Sequence, residues 1–356
     1  MRRFHPLVIE RRERETADSV RVALAVPAEL REDFSFLPGQ HLPVQLNVDG
    51  KRLRRTYSIC SAPGQWPLEI GVRIQPGGQV SEYLGNRLSP GDVLEAMPPF
   101  GQFHPAAGGA DGTTRVAFAA GSGITPVLSI MRATLERESR SRFVLFYGNR
   151  MQRSTMFIED LYALKNRFLE RLRLYFVFSR EEQEFGIFSG RLDAAKAREL
   201  MAAFCAEPAP QEAFVCGPDT MIDEVRAALL ETGIEPAAIH AERYGAPRRR
   251  SPAPPPAEEG AAAGARITVI MDGHRKSFPM SEGAGNIVDA AARQGIELPY
   301  SCKGGVCATC RTFLAEGEVR MAANFGLEPW EVEKGFVLAC QSTPLTPEVV
   351  LDYDEV

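Results

Sequence analysis

Residues Pro299-Tyr300-Ser301-Cys302-Lys303-Gly304-Gly305-Val306-Cys307-Ala308-Thr309-Cys310 space three cysteines as C-x4-C-x2-C. A fourth follows after 29 intervening residues, in Phe336-Val337-Leu338-Ala339-Cys340-Gln341. This is the ligand spacing of a plant-type [2Fe–2S] cluster. Four thiolates must converge on two irons, and the loop must wrap tightly enough for backbone N–H groups to face the sulfurs. Ser301, Gly304, Gly305 and Ala308 are small enough to permit that approach. A zinc site would favour paired C-x2-C knuckles, and only one such pair is present. Disulfides fit poorly with a chain whose N-terminus shows no secretory signal. A thioredoxin-like C-x-x-C would not need the outlying cysteines. A Rieske centre needs two histidines, and the only one in this region, His274, is far from the cysteines in sequence. Cys302, Cys307, Cys310 and Cys340 are therefore the expected metal ligands.

The sequence around this loop agrees. Ile267-Thr268-Val269-Ile270-Met271, an Asp272-Gly273 turn and Arg275-Lys276-Ser277-Phe278 predict a β-hairpin. Asn286 to Gly295 predicts a helix closed by glycine. Together with the cysteine loop, this resembles the ferredoxin β-grasp. Upstream, residues 246–265 contain five prolines, seven alanines and no large apolar residue, so they cannot form a core and are expected to be a linker. From 266 to 356 there are 8 basic and 13 acidic residues, leaving 33 of each before it. The acidic end is either a solvated surface or a steering field for an electron partner. No basic nucleic-acid footprint is present.

Further upstream, Arg115-Val116-Ala117-Phe118-Ala119-Ala120 predicts a buried parallel strand, followed by Gly121-Ser122-Gly123-Ile124-Thr125-Pro126 and a helix to about Glu138. Pro126 stands where a dinucleotide fingerprint has its third glycine. Thr125 is expected as N-cap and Pro126 at the first helical position. Strands at 143–147 and 172–178 alternate with helices at about 154–168 and 192–204, which predicts a parallel α/β sheet with ligands at its carboxyl ends. Those ends carry Gly148-Asn149-Arg150, Ser179-Arg180-Glu181 and Cys216-Gly217-Pro218. After Tyr147 comes Arg150, not an acid for a ribose hydroxyl. Ser179, Arg180 and Arg150 suit a 2′-phosphate, which favours NADPH over NADH. Cys216 has no neighbouring histidine in sequence and is not expected to be a nucleophile. Tyr244 either covers a flavin or packs the end of this domain.

The first hundred residues show short strands (Leu7–Ile9, Val20–Leu24, Leu42–Leu46, Leu68–Ile74) separated by Pro-Gly and Asp-Gly turns, which predicts an antiparallel barrel. Within it, Arg55 can neutralise a phosphate, Tyr57 can stack on a flat ring and Ser58 can hydrogen-bond a ring heteroatom. Gly78, Val80 and Ser81 open a short helix whose N–H groups suit a pyrophosphate.

Arg54-Arg55-Thr56-Tyr57-Ser58, Gly78-Gln79-Val80-Ser81, Gly-x-Gly-Ile-Thr-Pro (121–126) and Cys-Gly-Pro-x-x-Met (216–221) resemble the ferredoxin–NADP reductase superfamily. The resemblance implies that Arg55, Tyr57, Ser58, Gly78, Val80 and Ser81 hold FAD (FMN in one branch of that superfamily). It implies that Gly123, Thr125, Pro126, Cys216, Gly217 and Pro218 border the nicotinamide. The expected organisation is an FAD-binding β-barrel over 1–108, an NADPH-binding α/β domain over 109–245, the linker, and a [2Fe–2S] ferredoxin over 266–356. Over nearly the whole chain, through residues 54–60, 147–150 and 298–310, the sequence is similar to the reductase components of phenylacetyl-CoA epoxidases. That implies electron flow from NADPH through FAD and the cluster to a multisubunit di-iron oxygenase. The chain itself has no paired Glu-x-x-His helices for a di-iron site. A reductase for a Rieske-type hydroxylase or demethylase shares the domain order, and a redox sensor is the reading from another class. Three cofactor signatures in electron-transfer order oppose the sensor.

At 356 residues the chain has room for two or three domains. No apolar run approaches the ~18 residues of a membrane span, and the N-terminus lacks an export-type apolar core, so a cytoplasmic protein is expected. Cys60, Cys205 and Cys216 are expected to be free thiols.

Overall fold

The computed structural model describes residues 3–106, 111–244, 264–280, 283–327 and 329–355. It divides into two compact units: one formed by Arg3–Tyr244, the other by the chain beyond it, whose described part begins at Gly264. The expected linker lies outside the described residues, apart from Gly264 and Ala265.

The first unit opens with six antiparallel strands: β1 (His5–Thr16), β2 (Ser19–Ala25), β3 (His41–Val48), β4 (Lys51–Ser58), β5 (Leu68–Arg73) and β6 (Val93–Ala96). Their order is β4-β3-β6-β1-β2-β5. The two edges meet where Ile59 bridges Ile70 and the Cys60 N–H donates to the Glu69 carbonyl at 2.9 Å, closing the expected barrel. Alternate residues fill it: Leu7 and Ile9, Val20 and Val22, Leu42 and Val44, Ile70 and Val72. β1 runs well past the predicted Leu7–Ile9, through a polar stretch that alternation alone does not reveal.

A short helix, α1 (Gln79–Glu82), follows β5. Then five parallel strands, β7 (Thr114–Ala120), β8 (Arg142–Asn149), β9 (Leu172–Phe178), β10 (Glu212–Cys216) and β11 (Ile239–Glu242), order as β11-β10-β7-β8-β9. Helices α2 (Ile124–Arg137), α3 (Ile158–Arg167), α4 (Ala194–Phe204) and α5 (Asp219–Glu231) connect them. The central strands β7, β8 and β10 are buried on both faces, as a parallel sheet requires. Ala117 and Ala119 pack with Ile130 of α2 and Leu161 of α3, whereas Val116 and Phe118 pack with Leu200 of α4 and Val225 of α5.

Charged contacts join the barrel to this sheet. Arg21 of β2 and Arg132 of α2 both bind the Asp160 carboxylate on α3, and Arg132 also donates to the Cys60 carbonyl at 2.9 Å. Ser129 on α2 donates to the Ser61 carbonyl at 2.7 Å.

The second unit has a five-stranded sheet built from β12 (Arg266–Met271), β13 (His274–Pro279), β14 (Arg311–Glu316), β16 (Phe336–Leu338) and β18 (Glu348–Asp352), ordered β13-β12-β18-β14-β16. β15 (Val319–Met321) and β17 (Ser342–Pro344) form a small separate ribbon. The Asp272-Gly273 turn has the positive φ at both residues that such a hairpin demands, 53° and 71°. Helix α6 (Ile287–Arg293) is capped by the Asn286 side chain, which accepts from the Asp289 N–H at 2.9 Å. A last short helix is α7 (Pro329–Glu333).

Two predicted helix starts are corrected. α2 begins at Ile124, entered through a 3₁₀ turn at Gly121–Gly123. Thr125 is therefore inside the first turn, with its hydroxyl donating to the Ser122 carbonyl at 2.9 Å rather than capping. Pro126 still lies where a missing N–H leaves no intrahelical bond unmade. The helix expected from 154 begins at Ile158, after Phe157 in a left-handed conformation with φ 58°.

Candidate functional site

Three groups of predicted residues come together, each where an element ends. The first is at the carboxyl edge of the parallel sheet, where it meets the end of barrel strand β4. The Ser58 hydroxyl, last on β4, donates to Glu242 Oε2 at 3.1 Å and lies 3.0 Å from the Tyr244 hydroxyl. The Thr125 hydroxyl is 2.9 Å from that same phenol. Ser58 and Thr125 each have one proton, given to Glu242 and to the Ser122 carbonyl. The Tyr244 phenol also has a single proton, so it can donate to only one of its neighbours at a time, with the Ser122 carbonyl a further acceptor at 3.3 Å. Burial of the hydroxyl, then the Cys216 and Glu242 groups beside it, push the Tyr244 phenol well above its ordinary range, so it keeps that proton. The residue is 47% exposed overall while its hydroxyl is enclosed. An open aromatic face pinned by its polar tip fits a flat ring system. Glu242 Oε1 also contacts His41 Nδ1 at 3.3 Å. A side chain at Gly101 would strike the His41 ring, with a Cβ only 2.9 Å from Nδ1.

Gly123 is needed at this edge for packing. A Cβ there would stand 2.1 Å from the Cys216 carbonyl oxygen. The Cys216 thiol is fully buried, and burial pushes it well above its usual range, so at neutral pH it is a poor nucleophile. Gly217 follows in a space that Met221 and Ala120 would close to a Cβ, and Pro218 leads into α5.

The second group spans the ends of β8 and β9. The Ser179 N–H donates to the Asn149 carbonyl at 3.0 Å and the Arg180 N–H to the Arg150 carbonyl at 2.9 Å. Arg150, Ser179 and Arg180 are thereby held side by side, and all three are exposed. In the barrel, Arg55 is exposed, with one guanidinium N–H on the Arg54 carbonyl at 2.7 Å. Its neighbour Arg54 is buried and donates to Gln45 Oε1 at 2.7 Å. Tyr57 is half-buried two residues on, its phenol pushed up chiefly by burial and partly restrained by Arg55. Ser81 does not point out of its loop: its hydroxyl donates to the Gly78 carbonyl at 3.1 Å and accepts from the Gln75 N–H at 3.0 Å. The Val80 side chain is in the barrel core, so only the backbone of this turn is offered to a ligand.

The third group is the cysteine loop. Lys303, Gly305 and Ala308 have φ of 52°, 73° and 48°, which curl the chain around its sulfurs. At Gly305 a side chain is also barred by the Ala323 carbonyl, 2.9 Å from an added Cβ. Cys302 Sγ accepts from the Gly304 N–H at 3.3 Å and the Cys307 N–H at 3.4 Å, and Cys307 Sγ accepts from the Cys302 N–H at 3.4 Å. Gln341 Nε2 donates to the Lys303 carbonyl at 2.9 Å and points at Cys340 Sγ at 3.6 Å. The Cys302 thiol is lowered to about 5, first by the hydrogen bond from Cys307, against burial, which raises it, and with further help from backbone N–H groups. Cys310 and Cys340 form a second hydrogen-bonded pair. Two pairs of sulfurs, served by N–H donors that stabilise thiolates, fit two bridged irons. Among the described residues, no three or more His, Cys, Asp or Glu side chains converge on a single ion.

Two residues to which the sequence assigns no role stand out. Glu242 ends β11, and a carboxylate at the carboxyl end of a parallel strand is a readable signal. His41 carries none: only folding brings it to Glu242, 201 residues away.

Family models describe the same three parts. An oxidoreductase FAD-binding domain matches residues 6–104, an oxidoreductase NAD-binding domain 118–227, and a 2Fe-2S iron-sulfur cluster binding domain 269–345. One of the protein components of the 1,2-phenylacetyl-CoA epoxidase of Escherichia coli (strain K12) is 40% identical over 99% of both chains. The ferredoxin reductase component of 3-ketosteroid-9-alpha-monooxygenase from Rhodococcus rhodochrous is 33% identical over 95% of this chain and 94% of its own. A solved phthalate dioxygenase reductase shares the fold, with a TM-score of 0.57 and 24% identity over 98% of each chain. Among the described residues, no helix is long and apolar enough to cross a membrane. The chain is an oxidoreductase with FAD-binding, NAD-binding and [2Fe–2S] modules, and it belongs to the family of oxygenase reductase components that includes this epoxidase component.

Proposed function

We propose that this chain draws electrons from NADPH and delivers them singly to a multisubunit di-iron oxygenase, with a phenylacetyl-CoA epoxidase as the acceptor. The carrying observation is the two-paired cysteine loop, in a chain that aligns end to end with a component of such an epoxidase. When bound, the flavin takes up a hydride and releases electrons one at a time to the cluster, which is the chemistry neither side chains nor backbone can supply.

The chain's own part is binding and orientation. Arg55 neutralises a flavin phosphate, Tyr57 covers ring surface, and the backbone at Gly78, Val80 and Ser81 donates to pyrophosphate. Ser58, whose hydroxyl proton goes to Glu242, would offer its oxygen to a flavin ring heteroatom as an acceptor. Gly123, Thr125, Pro126, Cys216, Gly217 and Pro218 make the nicotinamide wall, and Tyr244, anchored through its hydroxyl, is the cover at the same place. Arg150, Ser179 and Arg180 clamp a 2′-phosphate, which selects NADPH. Cys302, Cys307, Cys310 and Cys340 would hold the two irons of the cluster. The working division is 1–108 for FAD, 109–245 for NADPH, 246–265 as tether and 266–356 for the cluster.

Cys340→Ala tests the order of carriers. The variant should lose acceptor reduction while NADPH-driven reduction of a dye that draws on the flavin persists; loss of both in a folded variant would contradict the order. A different monooxygenase acceptor is favoured by the 33% identity to the 3-ketosteroid-9-alpha-monooxygenase reductase. Reduction rates with purified epoxidase and purified monooxygenase decide between them.

A further inference from the structure

Tyr353 has a buried hydroxyl with no hydrogen-bond partner among the described residues. A buried hydroxyl left unpaired is costly, and native structures seldom leave one so without a ligand or ion to serve. Two other enclosed phenols do have partners: Tyr147 donates to the Gly121 carbonyl at 2.8 Å, and Tyr244 contacts Ser58 and Thr125.

The placement of Tyr353 indicates what it serves. It directly follows β18, and its N–H donates to the Ile270 carbonyl at 2.9 Å, so its backbone is fixed. β18 runs antiparallel to β14, with Leu351 opposite Leu314 and Asp352 opposite Phe313. One step further sets Tyr353 opposite Thr312, two residues past the ligand Cys310. Cys310 directly precedes β14 and Tyr353 directly follows the antiparallel β18, so the two residues lie at the same end of this strand pair. Leu351 and Thr312 are buried there. The Tyr353 hydroxyl is enclosed near Cys310 and Cys340, and a phenol, ordinarily at about 10, keeps its proton at neutral pH and so remains a donor.

We propose that Tyr353 sets the cluster's reduction potential by donating a hydrogen bond from its hydroxyl to a sulfur at the Cys310–Cys340 end of the [2Fe–2S] cluster. This rests on the reading of the four cysteines as cluster ligands. Reduction adds one electron and one negative charge to the cluster, and the phenol keeps its proton throughout. A donor stabilises the more negative form more strongly, so it raises the potential. Tyr353 is a positioning and tuning residue, not a ligand.

The test uses the full-length protein with its cluster loaded and compares wild type with Tyr353→Phe by redox titration, read by visible absorption and electron paramagnetic resonance. Tyr353→Phe should weaken the reduction equilibrium about threefold to tenfold, a downward shift of ~30 to ~60 mV at ~59 mV per tenfold for one electron. Iron and sulfide content, and NADPH-driven dye reduction at the flavin, should be unchanged. An unshifted potential in a variant with full iron content overturns the proposal. If Tyr353→Phe fails to hold its cluster, site-specific 3-fluorotyrosine at 353 replaces it. That stronger donor should raise the potential, and no rise overturns the proposal. If wild-type protein binds no iron at all, the cysteine reading itself fails, which is distinct from a loaded protein that is indifferent to Tyr353.

Discussion

Replacing Gly123 by alanine adds one methyl group where the structure leaves none to spare. The backbone of Gly123 is at φ −60° and ψ −10°, a conformation alanine adopts readily. The perturbation is therefore steric alone. The new Cβ would fall 2.1 Å from the Cys216 carbonyl oxygen and 2.5 Å from its carbon, where ordinary contacts begin at 3.4 Å. Both partners are backbone, so relief requires the Gly121–Gly123 turn and the end of β10 to separate by about 1 Å. A displacement of that size at a positioning surface costs on the order of 100-fold in rate, or ~2.7 kcal/mol of transition-state stabilisation. Steady-state dye reduction with varied NADPH should show kcat/KM falling by about that factor, with flavin content and dithionite reduction of both centres unchanged. Gly285→Ala, which meets nothing within 4 Å, is the matched control and should be silent. A Gly123→Ala enzyme within about threefold of wild type would refute the assignment of this turn to the nicotinamide wall.

Other outcomes follow from the same geometry. Removing Arg150 and Arg180 together should raise KM for NADPH by about tenfold or more and leave KM for NADH within about threefold, because a charged clamp matters only to the 2′-phosphate; equal effects on the two would remove the basis for preferring NADPH. Arg115, 1% exposed, is held by Glu212 and Glu138, each at 2.6 Å. Glu212→Gln should therefore cost about 3 kcal/mol at neutral pH, read as a lowered melting temperature. Burial alone would raise the Glu212 carboxyl, but bonds from His240, the Ala106 N–H and Arg115 outweigh it and hold it below its ordinary value. Its contribution is complete above the unfolded value of about 4.3 and is lost as pH falls through the lower folded one. Acid unfolding curves of Glu212→Gln should accordingly be flatter below pH ~4.3, and curves parallel to wild type would rule this out.

The cluster loop is the most legible part of the sequence because its chemistry is local. Four ligands, their spacing and the small residues between them all lie in one stretch plus Cys340. The parallel sheet is legible for a related reason, since strands such as 143–147 are apolar on both faces. The barrel is readable as a set of strands but not as a closure: the bridge from Ile59 to Ile70 joins edges that no periodicity marks. Helix entries go astray where tertiary packing overrides capping preference. Thr125 is a good cap by type, yet its hydroxyl is drawn back to Ser122 because Gly123 must pass against Cys216. The polar group at Ser58 is half visible. Ser58 and Tyr244 stand out by motif and by position, and Glu242 by its place at the end of β11, but His41 acquires meaning only when β3 and β11 meet, a contact 201 residues apart in sequence.

The central claim is a route from NADPH through the flavin to the cysteine-held cluster. An anaerobic rapid-mixing experiment with NADPH tests it most directly, following flavin absorbance in time and the reduced-cluster paramagnetic signal in frozen samples. The account predicts that the flavin bleaches first and the cluster signal then rises in the wild type, and that only the bleaching remains in Cys340→Ala. A wild-type cluster that dithionite reduces but NADPH does not, while the flavin is fully bleached, would contradict it.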